Sequence, residues 1–269
     1  MKRKFYFIFF ILSFILILTS CKNNNYTETE YSYKLSDSIT DIEINWRVGD
    51  IEITSGDEFS IVETSRDEKA IAPLNYSILD SKLVLNYNNS NKNLKIVLDN
   101  KLDYNLIQIE TTNSIVTASN IVADELIING KVGEFFISNC TLKILESNVT
   151  CINGTFKIMN NKIEILKTSS QKTSLILITN NMFKSIKSEF KFGTLNFLNN
   201  IFDSINISSI FSEINITLNA NIGFVYCSNS NTTIDFETIH YNNKYIYSDG
   251  SKQITCKNWK GNINIYRQY

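Results

Sequence analysis

A repeat of about 20 residues in the middle of the chain constrains the fold more than any other feature. Five successive segments each end in asparagines: 121–139, 140–161, 162–181, 182–200 and 201–221. Each segment holds an early and a late pair of alternating apolar residues, such as Leu142/Ile144 and Phe156/Ile158 in the second. Alternation with period two predicts strands with one buried face.

Such a repeat is typical of stacked architectures, in which each repeat buries its apolar face against its neighbours. We therefore expect an all-β fold, a single-chain β-solenoid (a β-helix or roll) with rungs of about 20 residues, capped at both ends. Asparagine at one point of every rung predicts a structural ladder of side-chain amides. Its members would be Asn139, Asn160, Asn180, Asn199 and Asn219. A polar stripe that binds sugar is the alternative.

The flanking segments are also predicted to be strands, because Ile42-Glu43-Ile44 and Leu83-Val84-Leu85 alternate in the same way. They lack the asparagine period, so segments 36–110 and 222–269 are the expected caps. We expect residues 36–269 to form one domain, with the asparagine-rich repeats at 121–221.

The N-terminal segment predicts export and lipid anchoring. Lys2, Arg3 and Lys4 precede the apolar run Phe5–Leu18, which is shorter than the roughly 20 residues of a membrane span and fits a signal peptide. Leu18-Thr19-Ser20-Cys21 resembles the lipobox of bacterial lipoproteins. That resemblance implies cleavage before Cys21 and acylation of this cysteine, including palmitate. The alternative is an uncleaved anchor.

Residues 1–20 would then be a lipoprotein signal peptide and residues 21–35 a polar tether. Without its three basic residues, the remaining chain has 23 basic residues against 27 acidic ones. It shows no basic stripe, so we expect no nucleic-acid partner.

Four further cysteines could form disulfides in an exported protein. Proximity in sequence favours pairing Cys140 with Cys151 and Cys227 with Cys256, and buried free thiols are the alternative. No close Cys-x-x-Cys pair suggests a metal site.

Two short motifs carry a family resemblance. Val48-Gly49-Asp50-Ile51-Glu52-Ile53 follows the strand-like segment Asp41–Ile44, and Lys260-Gly261-Asn262-Ile263-Asn264-Ile265 lies near the end of the chain. They resemble the opening and closing motifs of the adhesin-head family, also described as auto-transporter adhesin head or GIN-type domains. The resemblance implies a right-handed β-solenoid or roll on an exported or anchored protein, without an established enzymatic activity. The chain departs from the family in having only nine glycines.

Residues suited to catalysis are sparse. His240 has no recognisable partner nucleophile or carboxylate, and a surface role is expected. Asp41, Glu43, Asp50 and Glu52 alternate with isoleucine, which predicts a solvated face rather than a cation or glycoside site. Tyr241, Tyr245 and Tyr247 could pack under a cap or form an aromatic contact surface.

The sequence therefore predicts a non-catalytic, cofactor-free protein, anchored by lipid on the periplasmic face or the cell surface. Adhesion, scaffolding or protein interaction would be its role, with an envelope or host protein or glycan as partner. The alternatives are a β-helix hydrolase or lyase acting on polysaccharides, and a carbohydrate-binding lipoprotein.

Overall fold

The computed structural model describes residues 29–34, 38–65, 73–87, 92–150, 154–172, 175–228, 231–241 and 244–268. Of these residues, 77% lie in strands and none in a helix, which confirms the all-β prediction. This part of the chain accordingly contains no helix long and apolar enough to cross a membrane. The predicted signal peptide and Cys21 lie outside the described residues.

The strands are β1 (Thr29–Tyr33), β2 (Asp41–Val48), β3 (Ile51–Gly56), β4 (Ser60–Ser65), β5 (Asn75–Leu79), β6 (Lys82–Asn86), β7 (Lys92–Asp99), β8 (Tyr104–Ser119), β9 (Val122–Ser138), β10 (Thr141–Val149), β11 (Thr155–Met159), β12 (Lys162–Ser170), β13 (Leu175–Thr179), β14 (Met182–Leu198), β15 (Ser204–Asn219), β16 (Phe224–Ser228), β17 (Thr232–Ile234), β18 (Ile239–Tyr241), β19 (Lys244–Tyr247), β20 (Lys252–Lys260) and β21 (Ile263–Gln268). Strand β1 falls within the segment that the sequence suggested as a tether.

Most strands run parallel in two series joined by bends. The first series follows the hydrogen-bonded order β6, β2, β8, β9, β10, β12, β14, β15, β20 and β16. The second follows β7, β3, β8, β9, β11, β13, β14, β15, β21 and β17. The long strands β8, β9, β14 and β15 pass through a bend and contribute to both series.

The core lies between these series and is built from aligned apolar side chains. In the first series, one buried row joins neighbouring strands: Leu126, Leu145, Leu166, Ile186, Ile205 and Ile254. In the regular stretches of the strands every second residue joins such a row, because successive side chains of a strand point to opposite faces.

The prediction of a single-chain β-solenoid capped at both ends is wrong. The strands include a closed barrel of six parallel strands with extra strands added to it, and all 21 strands are linked in one hydrogen-bonded network. The apolar alternation specifies which face of each strand is buried. Closure depends on strand tilt and stagger across the whole sheet, which this local pattern does not encode.

The segments expected to be caps largely continue the parallel series, through β2, β3, β20 and β21. Antiparallel pairs lie at three of the four ends instead: β5 pairs with β6, β4 and β1 follow β7, and β19 and β18 follow β16. The fourth end is β17, a strand of three residues that runs parallel to β21. These short strands limit further parallel pairing at those ends.

Glycines with positive φ shape several bends between the two series. Gly49 (φ 104°) and Gly261 (φ 130°) join β2 to β3 and β20 to β21. A Cβ atom on Gly49 would lie 2.0 Å from the Lys92 carbonyl oxygen, and one on Gly261 would lie 2.0 Å from that of Ser212. The glycines of both family-like motifs therefore allow the backbone to turn in close contact with a neighbouring strand.

Candidate functional site

The asparagines predicted to form the ladder occupy turns instead. Asn139, Asn160, Asn180 and Asn199 have φ between 54° and 58° and are exposed. Asparagine adopts this left-handed conformation more readily than most residues. The fifth, Asn219, ends β15, and its Oδ1 accepts a hydrogen bond from the Asn221 backbone N–H.

An amide ladder is present one residue later in the pairs. Asn161 Nδ2 donates to Asn181 Oδ1, and Asn181 Nδ2 donates to Asn200 Oδ1, both at 2.9 Å. All three side chains are buried. Asn181 Nδ2 also lies within hydrogen-bond distance of the carbonyl oxygens of Ile158 and Thr179. Because this ladder satisfies buried backbone groups, its role is structural rather than ligand-binding.

The cysteines form no disulfide among the described residues. Cys140, Cys227 and Cys256 carry free thiols, and Cys151 lies outside the described residues. The predicted Cys227–Cys256 bridge is wrong because Cys227 aligns with Thr255, one residue before Cys256, so the two side chains point to opposite faces. Burial raises the pKa of Cys256 to about 12 and that of Cys140 to about 11, which makes both thiols poor nucleophiles.

The remaining candidates are held in ordinary surface and packing interactions. His240 is exposed and stacks on Tyr245, with ring centroids 4.7 Å apart. Tyr245 and Tyr247 pack against the core, and the Tyr247 hydroxyl donates to the Ala220 carbonyl oxygen. Nothing is described for the Tyr241 side chain.

Two of the four outward acids, Glu43 and Glu52, are paired with lysines. Lys82 lies 2.7 Å from Glu43, and its hydrogen bond lowers the pKa of that carboxyl. Lys95 lies 2.8 Å from Glu52. Among the described residues, no group of three or more His, Cys, Asp or Glu side chains is arranged to hold a metal ion.

The exposed face of the bends between the two series is here called the corner surface. It differs from the strand faces in its pattern of outward side chains. At several bends two consecutive side chains point outward, which interrupts the alternation and adds side-chain surface. On β2, β8 and β9 these pairs are Arg47–Val48, Thr112–Asn113 and Lys131–Val132, and on β14, β15 and β20 they are Lys191–Phe192, Ile210–Phe211 and Trp259–Lys260.

One half of the corner surface is an aromatic ladder, formed by Phe192, Phe211 and Trp259. The rings of Phe192 and Phe211 stack with centroids 5.5 Å apart, and Trp259 lies 6.0 Å from Phe211. Lys260 Nζ lies over both Phe211 and Trp259, at 5.5 and 5.7 Å from the ring centroids. Trp259 is 74% exposed, which is unusual for so large an apolar side chain.

The other half of the corner surface is a polar cleft of about 560 Å³. Arg47 and Lys131 bracket it, and Glu110, Asn129 and Asn148 line its wall. Asn148 donates to Asn129, and Asn129 donates to Glu110, both at 3.1 Å. The Tyr87 ring, which packs edge-on against buried Trp46 at 5.7 Å, adds an apolar wall.

The sequence analysis did not identify the corner surface. A usable signal was nevertheless present, since Phe192 directly precedes Gly193 and Trp259-Lys260 precedes Gly261. An apolar residue one or two positions before a bend glycine lies where the inward and outward alternation is interrupted, so it can be exposed.

No protein-family model and no curated protein matches the chain. Solved structures do resemble it, including a candidate adhesin from Bacteroides fragilis with a TM-score of 0.60 and 16% identity, covering 90% of this chain and 97% of that one. A candidate adhesin from Parabacteroides distasonis gives a TM-score of 0.57 at 12% identity, with 90% and 98% coverage.

A candidate lipid-binding protein from Parabacteroides distasonis gives a TM-score of 0.60 at 15% identity, with 90% and 97% coverage. At such low identity, these likenesses concern architecture alone. The chain therefore shares its fold, over nearly the whole length of each neighbour, with bacterial proteins described as candidate adhesins and as a candidate lipid-binding protein.

Proposed function

We propose that the protein is a non-catalytic, lipid-anchored adhesion protein of the cell envelope, which holds its partner on the corner surface. The observation that carries this proposal is the exposed aromatic ladder of Phe192, Phe211 and Trp259. Exposed aromatic side chains grouped on a rigid frame are typical of binding surfaces, because they offer large contact areas at a low cost in conformational entropy.

The position of the ladder supports contact with a partner beyond the protein's own membrane. Lipid on Cys21 would lie a few residues before β1. From β1 the hydrogen-bonded order runs through β4, β7, β3, β8, β9, β11 and β13 before it reaches β14. The strands of the ladder, β14, β15 and β20, are therefore many strands away from the anchored end.

The names of solved neighbours lend further support, since two of them are described as candidate adhesins. The chemistry of the corner surface agrees with a binding role. It presents stacking rings, amides and cations rather than an activated nucleophile beside a general base.

Replacing Trp259 with alanine tests the proposal. In cells that carry the full-length protein, Trp259→Ala should weaken attachment to a host-matrix or bacterial-cell surface about tenfold, as expected for a central aromatic contact. Attachment is counted under flow at matched surface amounts of protein. Leu79→Ala is the control, because Leu79 is 73% exposed but lies in β5, away from the ladder. Equal attachment by the wild type and Trp259→Ala, or equal losses in both variants, would refute the proposal.

A further inference from the structure

We propose that the ligand of the corner surface is an extended acidic polysaccharide, which the polar cleft recognises by its carboxylates and hydroxyls. This inference rests on the proposed function and names the ligand class of the same surface. Binding such a ligand requires cations without acidic partners, polar groups that are already oriented, and apolar surfaces for sugar rings. The corner surface supplies each of them.

The cations of the cleft are available to a ligand. Within the described part of the chain, neither Arg47 nor Lys131 forms an ion pair. A charged row elsewhere on the first series provides the contrast. It runs Asp124, Lys143, Glu164, Lys184, Asp203 and Lys252, with Lys143 2.7 Å from Asp124 and Lys184 2.9 Å from Glu164. Those lysines already have acidic partners, whereas the cleft presents two cations, Arg47 and Lys131, against the single carboxylate of Glu110, on a chain with a small net negative charge.

The spacing of the cations suits a chain of repeating charged units. The residues on either side of Arg47, Trp46 and Val48, align with Thr111 and Asn113 of β8. Those two align in turn with Gly130 and Val132 of β9, which flank Lys131, so the two cations are two strands apart. Adjacent strands lie about 4.8 Å apart, which places the two backbone positions about 10 Å from each other. Consecutive or alternate acidic sugars of one extended chain can therefore reach both cations.

The amides of the cleft are already oriented for hydroxyl groups. The chain of donation from Asn148 to Asn129 to Glu110 fixes the direction of each side chain, and Gln108 also donates to Glu110 Oε1 at 3.1 Å. Within the described residues, Oε2 of Glu110 and Oδ1 of Asn148 have no recorded donor, so both can accept hydrogen bonds from a ligand. Fixing these groups before binding reduces the entropic cost of holding a polyhydroxylated chain.

The aromatic ladder lies at the corresponding bends of β14, β15 and β20. Its rings can pack against the C–H faces of sugars, and Lys260, already above two of them, adds another cation. The ladder alone would fit many apolar partners. The amides and cations of the cleft favour a ligand that carries both hydroxyl groups and negative charge.

Binding of an oligogalacturonate to the full-length lipidated protein in nanodiscs tests this inference. The matched ligand is the same oligosaccharide with its carboxyl groups reduced to alcohols. We expect the Kd for the acidic form to be lower by about tenfold or more, because charge-assisted hydrogen bonds are replaced by neutral ones. The double variant Arg47→Gln/Lys131→Gln should raise the Kd for the acidic form about tenfold and abolish the preference.

Lys143→Gln is the control variant, since it removes one exposed positive charge from the paired row. It should change the Kd by less than about twofold, because its exposed ion pair is far from the cleft and screened by salt. Equal affinity for the two oligosaccharides, an equal effect of Lys143→Gln, or equally tight binding of polyglutamate would overturn the inference. If attachment of cells still depended on Trp259 in that case, the adhesion proposal would stand without this ligand.

Discussion

At the scale of single residues, the two asparagines of each pair have different structural roles. The first of each pair takes the left-handed turn, and the second is buried and hydrogen-bonds along the ladder. The sequence indicated that these pairs recur and that they are structural. It did not indicate which member is buried, because that depends on the sign of φ at one turn residue, and asparagine is compatible with both conformations.

This division predicts unequal effects of two asparagine substitutions. Asn181→Ala removes bonds to Asn161, Asn200 and backbone carbonyls, and leaves buried polar groups unpaired. It should lower the free energy of unfolding by about 3 kcal/mol or more. Asn196→Ala removes the acceptor of one half-buried amide bond from Asn215, and should cost about 1 kcal/mol or less. Urea denaturation of the two variants measures both values, and similar losses would contradict a structural role for the buried ladder.

At the scale of elements, apolar alternation was sufficient to predict strands, since strands such as β2 and β13 follow it over most of their length. It failed at the bends, where two consecutive residues point outward and create the corner surface. The reason is geometric: a bend rotates the chain between one strand direction and the next, so the period of two no longer assigns a face. The exposure of Trp259 and Phe211 could therefore not be predicted from the alternation, which assigns buried and exposed faces only along straight strands.

The bend at Gly49 gives a prediction for one element. Gly49→Ala places a Cβ atom against the Lys92 carbonyl oxygen, which also accepts a hydrogen bond from Trp46 Nε1. The positive φ adds strain, so we expect a loss of about 2 kcal/mol or more in the free energy of unfolding. Gly56→Ala is the matched substitution, because Gly56 lacks a positive φ and its nearest neighbour is a side-chain methyl of Val97. A smaller loss for Gly49→Ala than for Gly56→Ala in thermal unfolding would show that the bend is not constrained in this way.

At the scale of the whole molecule, the all-β class followed from the sequence, whereas the closed barrel did not. Closure is a property of many strands at once, and no single segment of sequence specifies it. The lipid anchor is a different kind of prediction, since it depends on four residues that a processing enzyme would recognise.

Labelling with radioactive palmitate tests the anchor. The wild-type protein should incorporate the label and remain in the membrane fraction, because two or more acyl chains hold a protein stably in a bilayer. Cys21→Ala should incorporate none, while Cys227→Ala, which changes a half-buried thiol of β16, should label like the wild type. Equal labelling of Cys21→Ala and the wild type would rule out acylation at this position.

The antiparallel strands at the ends of the parallel series have a consequence for molecules crowded together on one membrane. A parallel sheet that ended with all its backbone groups open would recruit the next copy of the chain and grow into a fibre. Here β5, β4 and β19 pair with the outermost parallel strands β6, β7 and β16, and they run in the opposite direction. At those ends a neighbouring copy cannot simply extend the parallel series, and at the remaining end β17 offers only three residues for pairing. Copies crowded on one membrane can therefore remain separate molecules.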